Sequence, residues 1–501
     1  MKKSKSARRN RHSRSERARE NVRRNTAIPE GYDTFLLGED ERCHISTDCK
    51  ATQLNNNIMV VGGSGAGKTM SVMLPILLHM ERSNAVGIFT KWGMLSEITR
   101  LLENRGYTVH VLNLVEPEKS EFGFDPLFYC KTDEDIRDLA HSIIYSDPNG
   151  GCGKDPFWDT SAENLSDVVM RTAKKYAVKG KATMETALSL MDRLEWSHDR
   201  DWTDWDDAEN REDYPTHYII EKFSKGDPDV RISWRAFTNL SDQTGSSVAV
   251  CMHTPVSAVF PSAVRRCVCK SKQFDFSELL KPKTVLLVYV SPVNVAVHRF
   301  ATLFYRQLFK TLFELAERRE DKVLPYPVHV LCDDFATGGR IADFDHYISI
   351  FREKRISATL LLQSESQLSS IYGEQNARTI INNCDTYVFL GGMDDETCVN
   401  IAQKVNVPVD EIRNMPLGSE FFIRRGQKPI YTKRYNVLED PEYQKLQALG
   451  GKKLEFQATA PLLSGKTANE LYSLFGIEFP QKEPNEGQGE SHRADYWKKR
   501  F

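Results

Sequence analysis

The sequence contains nothing close to the ~20 consecutive apolar residues that a membrane-spanning helix needs. Its most apolar run, Val285 to Val290, is strand-sized, so a bilayer-spanning chain is not expected. Cysteine is scarce and poorly spaced for chemistry. There are ten in 501 residues with no Cys-x-x-Cys, and the nearest pairs, Cys43/Cys49 and Cys267/Cys269, lack partners at zinc-ligand spacing. A zinc cluster and a disulfide scaffold are excluded on that ground. With no signal peptide, the thiols are expected to be reduced and the chain cytoplasmic. The His-Glu-x-x-His, Gly-x-Ser-x-Gly and dinucleotide Gly-x-Gly-x-x-Gly signatures are also missing, which removes metallohydrolase and acyl-transfer chemistry for want of parts. No internal repeat is visible.

What is present is an ordinary globular composition, 40% hydrophobic and 27% charged, at a length that suits two to three domains and a large core. Charge is unevenly placed. Residues 1–24 hold eleven Lys/Arg against two Glu, a local +9, so the remainder carries −11 within a whole-chain charge of −2. Such an arm suits phosphates, whether of nucleic acid or of anionic lipid. Between Asp192 and Asp213, ten carboxylates surround Trp196, Trp202 and Trp205, without the spacing of a calcium loop. That stretch reads as a solvated surface loop.

Along the chain, Asn57–Val61, Ala85–Phe89 and Thr108–Leu112 are short apolar runs separated by helical patterns at Met70–Met80 and Leu95–Arg105. Strand and helix in alternation is the grammar of an α/β parallel sheet. From Lys131 to Phe274 the pattern turns helical, with candidates at Asp133–Tyr145, Thr160–Tyr176 and Thr183–Arg193. Strand candidates return at Thr284–Val290, Val328–Cys332, Ala358–Leu362 and Thr386–Leu390, with a helical segment over 295–319. The expected organisation is a basic disordered arm (1–31), the first part of a nucleotide-binding domain (32–130), an inserted all-α domain (131–280), the second part of the nucleotide-binding domain (281–440) and a C-terminal extension (441–501). The last twenty or so residues, from Pro480 on with Pro484, Gly487 and Gly489, read as a loose tail.

Gly62, Gly63, Ser64, Gly65, Ala66, Gly67, Lys68 and Thr69 satisfy Gly-x-x-x-x-Gly-Lys-[Ser/Thr] at every fixed position, between a buried strand and a helix. Glycines let the backbone wrap phosphates so that amide N–H groups and a helix N-terminus face the anion. Lys68 would bridge the β- and γ-phosphates of ATP, and the Thr69 hydroxyl would ligate Mg²⁺. Such a site needs carboxylates at the end of a nearby strand, and Val328-His-Val-Leu-Cys-Asp333-Asp334 supplies two. Asp333 would support the magnesium shell, and Asp334 would be the general base that polarises the attacking water. Gln363, after the next apolar strand, is placed to sense the γ-phosphate. For the arginine that a neighbouring subunit contributes in such ATPases, Arg340, Arg352, Arg355 and Arg378 are candidates. Arg265-Arg266 with Lys270 and Lys272, and Lys428 with Lys433 and Arg434, are two local basic clusters that could line a channel tracking phosphates.

Taken in order, these segments resemble the ATPase domain of the type IV secretion coupling proteins, the conjugative DNA-transfer ATPases. The resemblance runs from about Tyr32 to Arg434. It rests on Leu36-Leu-Gly-Glu39, the phosphate loop, Phe124-Asp-Pro-Leu127, Asp155-Pro-Phe-Trp158, Asp333-Asp-Phe-Ala336 with Gly339-Arg-Ile341, Phe351-Arg-Glu-Lys-Arg-Ile356, Gln363-Ser-Glu-Ser-Gln367 and Ile381-Asn-Asn-Cys-Asp385. It implies a RecA-like P-loop NTPase domain with an inserted all-α domain, acting as a homo-hexamer with ATP at subunit interfaces. It also implies recruitment of single-stranded DNA with its bound relaxase and delivery to secretion-channel components.

Three departures stand out. The place of the family's two transmembrane helices holds only the basic arm, so that a separate membrane anchor, or lipid or DNA bound through residues 2–24, is implied, with a peripheral position on the cytoplasmic face of the membrane. The family's usual Asp-Glu pair is Asp333-Asp334 here, one methylene shorter. The Asp-Pro-Lys-Gly-Glu-like stretch is replaced by Thr90-Lys-Trp-Gly-Met94, without its acids. Two alternatives stay open from sequence: a double-stranded DNA translocase of the same ring class, and a nucleotide-gated docking module with little hydrolysis.

Overall fold

The computed structural model describes residues 32–116, 119–146, 155–194, 208–270, 272–291, 293–337, 340–450, 454 and 466–478. The basic arm, the tryptophans of the acidic stretch and the proline-glycine tail lie outside them. The described residues fall into two compact units, one drawn from Met1–Phe124 with Lys270–Thr459, the other from Asp125–Cys269 with Ala460–Phe501.

The first unit opens on a small hairpin, β1 (Thr34–Leu36) with β2 (His44–Ser46), paired antiparallel. The following strands are β3 (Ile58–Val61), β4 (Asn84–Phe89), β5 (Thr108–Asn113), β6 (Thr284–Tyr289), β7 (Val328–Cys332), β8 (Ile356–Leu362), β9 (Thr386–Phe389), β10 (Ser419–Arg424) and β11 (Ile430–Lys433). Among the described residues they form one nine-stranded sheet, ordered β11-β10-β9-β3-β8-β7-β4-β6-β5. From β9 to β5 every pairing is parallel, and β10 and β11 add an antiparallel edge. β3, β4, β7, β8 and β9 are buried along their whole length. That is why they read as continuous apolar runs and not as alternating ones: helices on both faces leave a parallel strand no polar side. On one face, Leu77, Leu78, Leu95, Ile98 and Leu102 of the helices Leu74–His79 and Trp92–Asn104 close over Val60, Ala85 and Leu287 of the sheet. Each such side chain, fully buried, stabilises the fold by roughly 1.5–3 kcal/mol before entropy is counted.

The sheet also buries polar side chains, His329 among them. His329 of β7 is buried with Nδ1 2.6 Å from the Ser357 hydroxyl, Nε2 2.7 Å from the Thr359 hydroxyl, and its ring 4.7 Å from that of Phe35. Two hydroxyls that each donate or accept satisfy a neutral imidazole on both sides. Burial lowers its pKa from the ordinary 6.5 to about 3. A folded-state value below the unfolded one means that the unfolded chain takes up a proton the folded chain refuses. Stability is therefore complete above about pH 6.5 and falls as pH drops toward about 3, by up to ~1.4 kcal/mol per pH unit. Urea denaturation at pH 7 and pH 5 is expected to show this loss, and His329→Gln is expected to reduce the pH dependence. An unchanged profile in the variant would contradict the reading.

The second unit is helical throughout its described residues. Its long central helix, Pro156–Tyr176, has Asp155 as N-cap, whose carboxylate accepts from the Phe157 N–H at 3.0 Å, and proline in its first turn. Asp125 likewise caps Pro126–Tyr129 and also accepts from the Met184 N–H. The two Asp-Pro motifs are thus helix starts, where proline loses no hydrogen bond. Of the residues after 440, Pro441–Leu449 belongs to the first unit. The helix Ala468–Ser473 belongs to the second, where the nearby Lys466 donates to the Ser189 hydroxyl at 2.7 Å.

Candidate nucleotide site

The site grows from the C-terminal ends of β3, β7, β8 and β4. After Val61 the chain leaves the sheet, with the Gly62 N–H donating to Leu362 O of β8 at 3.1 Å and the Gly63 N–H donating to Gly391 O, beyond β9, at 2.9 Å. The loop is thereby fixed to both neighbouring strands. Glycine has different reasons at its two ends. A Cβ on Gly62 would stand 3.0 Å from both Ala66 Cβ and Leu390 Cβ, whereas Gly67 has φ +79°, a backbone that side chains disfavour. Ser64 and Gly65 form the exposed crest. The helix after the loop starts with a wide π turn over Thr69–Met73 before the α-helical Leu74–His79. Pro75 accounts for it: without an N–H, and with a ring that crowds the carbonyl four residues earlier, it does not fit a regular turn.

Lys68 is buried, and its ammonium donates to Gly62 O at 2.7 Å and Gly63 O at 3.2 Å, folding back over the loop. Burial lowers its pKa, while Asp334 and then Asp333 pull it up. Asp333 is anchored through its own N–H to Ile88 O at 3.1 Å. Its carboxylate accepts from the Thr69 hydroxyl at 3.3 Å and from the Thr90 hydroxyl at 3.0 Å. Burial and the adjacent Asp334 raise its pKa, and the hydrogen bonds from Thr90 and Thr69 oppose the rise. Asp334 is half-buried with φ 48°, a left-handed backbone that Asp tolerates better than most residues. Gln363 follows the last residue of β8, whose Leu362 pairs with Val61, so it stands beside the phosphate loop, exposed. The structure therefore brings Gly62–Thr69, Asp333, Asp334 and Gln363 to one edge of the sheet. A Thr hydroxyl facing a carboxylate is a donor set for a hard divalent cation whose other positions go to phosphate and water.

Two contributors are not evident from sequence. Thr90 opens the stretch that departs from the family pattern, and its hydroxyl takes up one Asp333 oxygen. Arg434 was placed above in a basic cluster; its guanidinium instead donates to Ala66 O, to Leu390 O and, through Nε at 3.1 Å, to Ser419 O. The other cluster is also engaged internally: Arg265 grips Asp192 at 2.7 and 3.1 Å, Lys272 pairs with Glu121 at 3.0 Å, and Lys270 donates to Ser120 O. Lys428 and Lys433 are exposed. Among the candidate trans-acting arginines, Arg352 donates to Cys49 O at 3.2 Å, Arg355 to Leu324 O at 3.2 Å, and Arg378 lies 3.7 Å from Glu374. Arg340 is exposed, six residues beyond Asp334.

The family model described as "Type IV secretory system Conjugative DNA transfer" matches residues 4–407. The chain belongs to that family. No curated protein matches it by sequence. Among solved structures, it is similar to the bacterial conjugative coupling protein TrwBdeltaN70 in a trigonal form with sulphate, at 17% identity and TM-score 0.56, covering 76% of this chain and 86% of that one. The plasmid coupling protein TrwB with a non-hydrolysable ATP analogue, ADPNP, matches at 15% identity and TM-score 0.54, over 81% and 87%. TrwB with ADP and Mg²⁺ matches at 16% and 0.56, over 76% and 85%. At these identities the likeness establishes the fold, a RecA-like P-loop NTPase unit with an all-α unit inserted in its sequence. Among the described residues of this conjugative transfer protein, no helix is long and apolar enough to cross a membrane.

Proposed function

We propose that the chain is the ATP-hydrolysing coupling protein of a conjugative type IV secretion system, driving single-stranded DNA transfer. The observation that carries this reading is the contact of Thr69 with Asp333 across 264 residues of sequence, beside a buried Lys68 that feels both Asp333 and Asp334. Phosphates entering the loop would draw Lys68 off Gly62 O and Gly63 O, since an ammonium binds an anion more strongly than a neutral carbonyl. Thr69 and Asp333 would hold Mg²⁺, which when bound neutralises charge between the β- and γ-phosphates. Asp334 would orient and deprotonate the attacking water, and Gln363 would register whether a γ-phosphate is present. The strand ends fix the carboxylates before substrate arrives, Asp333 following the fully buried Val328–Cys332 with its N–H on Ile88 O.

In this reading the chain works as a cytoplasmic homo-hexamer against a relaxase-bound strand, and residues 2–24 bring it to DNA or to anionic lipid at the membrane face. Arg340 is the favoured arginine in trans, because Arg352, Arg355 and Arg378 have partners within their own chain. Turnover of ATP measured with single strands and with duplex of equal length tests the assignment. Single strands are expected to stimulate more strongly; stimulation by duplex alone would favour the double-strand translocase.

A further inference from the structure

Arg434 follows the last strand of the sheet, far in sequence from the phosphate loop and the Asp333-Asp334 pair, yet its side chain ends at that loop. The guanidinium donates to three backbone carbonyls from three segments: Ala66 O within the loop, Leu390 O just past β9, and Ser419 O at the start of β10. A Cβ on Gly67 would lie 3.7 Å from Arg434 Nη1, so the head group is packed against the turn that precedes Lys68. Its own N–H also donates to Gly418 O at 2.9 Å, pinning the backbone from which the side chain reaches.

The charged neighbour is Glu420. It is fully buried, and neither carboxyl oxygen has a hydrogen-bond partner in the structure. Burial raises its pKa far above the usual carboxylate range, opposed first by Arg434. Neither Glu420 oxygen takes a hydrogen bond from the guanidinium, whose donors go to the three carbonyls. Gly38, in the Leu36-Leu-Gly-Glu39 motif, covers the acid so closely that a Cβ there would come within 2.4 Å of Glu420 Oε1. The planar fork of arginine is suited to this task, because it makes several donors available in fixed directions, which a lysine ammonium does not.

We infer that Arg434 is a positioning residue for nucleotide binding, holding the Ala66 carbonyl so that the Gly62–Thr69 loop is preset for phosphates. The inference rests on the nucleotide reading of that loop. It assigns to Arg434 a role within its own subunit and withdraws it from any surface that tracks DNA phosphates. Presetting a loop saves the ordering that binding otherwise costs, so its loss weakens affinity for every nucleotide that uses the loop and leaves the chemical step largely untouched.

The test is direct titration of the full chain with Mg²⁺–ATP and with ADP, for wild type, Arg434→Ala and Arg434→Lys, beside KM and kcat, single-strand affinity and the unliganded melting temperature. For Arg434→Ala, Kd for both nucleotides and KM are expected to rise about tenfold or more, kcat at saturation to stay within about threefold, and DNA affinity to hold. Arg434→Lys, which keeps the charge but offers one donor nitrogen in place of three, is expected to fall between the two and serves the same comparison if the alanine variant does not fold. Unchanged nucleotide affinity in both variants overturns the clamp, as does lost DNA affinity with nucleotide binding intact. Failure of the wild type itself to bind either nucleotide overturns the site reading, and the clamp with it.

Discussion

Lys68→Ala is expected to abolish ATP turnover, lowering kcat/KM by at least ~10²–10³, the range seen when one preorganised charge-stabilising donor is removed. The ammonium is buried against Gly62 O and Gly63 O with Asp333 and Asp334 as its charge partners, so no nearby cation is set to replace it: Lys91 and Arg434 approach the site from the β4 and β10 sides and serve other contacts or face solvent. The substitution also removes a positive charge that both Asp333 and Asp334 feel. Nucleotide titration is expected to show weakened binding together with lost turnover. A variant that still hydrolyses ATP at near wild-type rate would place the chemistry elsewhere.

The second large effect is expected at Asp334. Asp334→Asn keeps size and shape but cannot take a proton, so kcat should drop by about 10²–10⁴ while ATP affinity stays within a few-fold. Asp333→Asn is expected to differ in kind: Asp333 faces Thr69, so its loss should appear first as a raised Mg²⁺ requirement. Asp334→Glu restores the residue usual in the family. The φ of 48° suits Asp better than Glu, whereas the added methylene extends the carboxylate, and the two effects oppose each other. A change of less than about tenfold in kcat would show Asp334 adequate as base. A larger gain would show a site short of reach, nearer to the docking module than to a motor.

The strands that carry the site were legible because burial on both faces leaves them nothing but apolar side chains. Ile58–Val61, Val328–Cys332 and Ile356–Leu362 each stand out from their flanks, and the residues that end them, Gly62, Asp333 and Gln363, follow directly. β10 and β11 were not legible. Ser419–Arg424 carries Glu420 and Arg424, both buried, so its composition conceals a core-facing strand. Gly426 at φ +78°, in the short turn before Ile430, is the signal from which a hairpin could have been inferred. Missing that hairpin made Arg434 look like one of a surface group with Lys428 and Lys433. β1 and β2, three residues each, are too short for a periodic pattern. Thr90 could not be read as a contributor either, because only the fold places β4 beside β7 and so brings its hydroxyl to Asp333.

The most direct measurement is a single-turnover one: Mg²⁺–ATP bound to excess protein, mixed with single-stranded DNA, and quenched over time to count ADP formed. The expected result is conversion of bound ATP to ADP, accelerated by the single strand and absent in Asp334→Asn. ATP that stays bound and intact with DNA present would contradict a motor and leave a nucleotide-gated docking module.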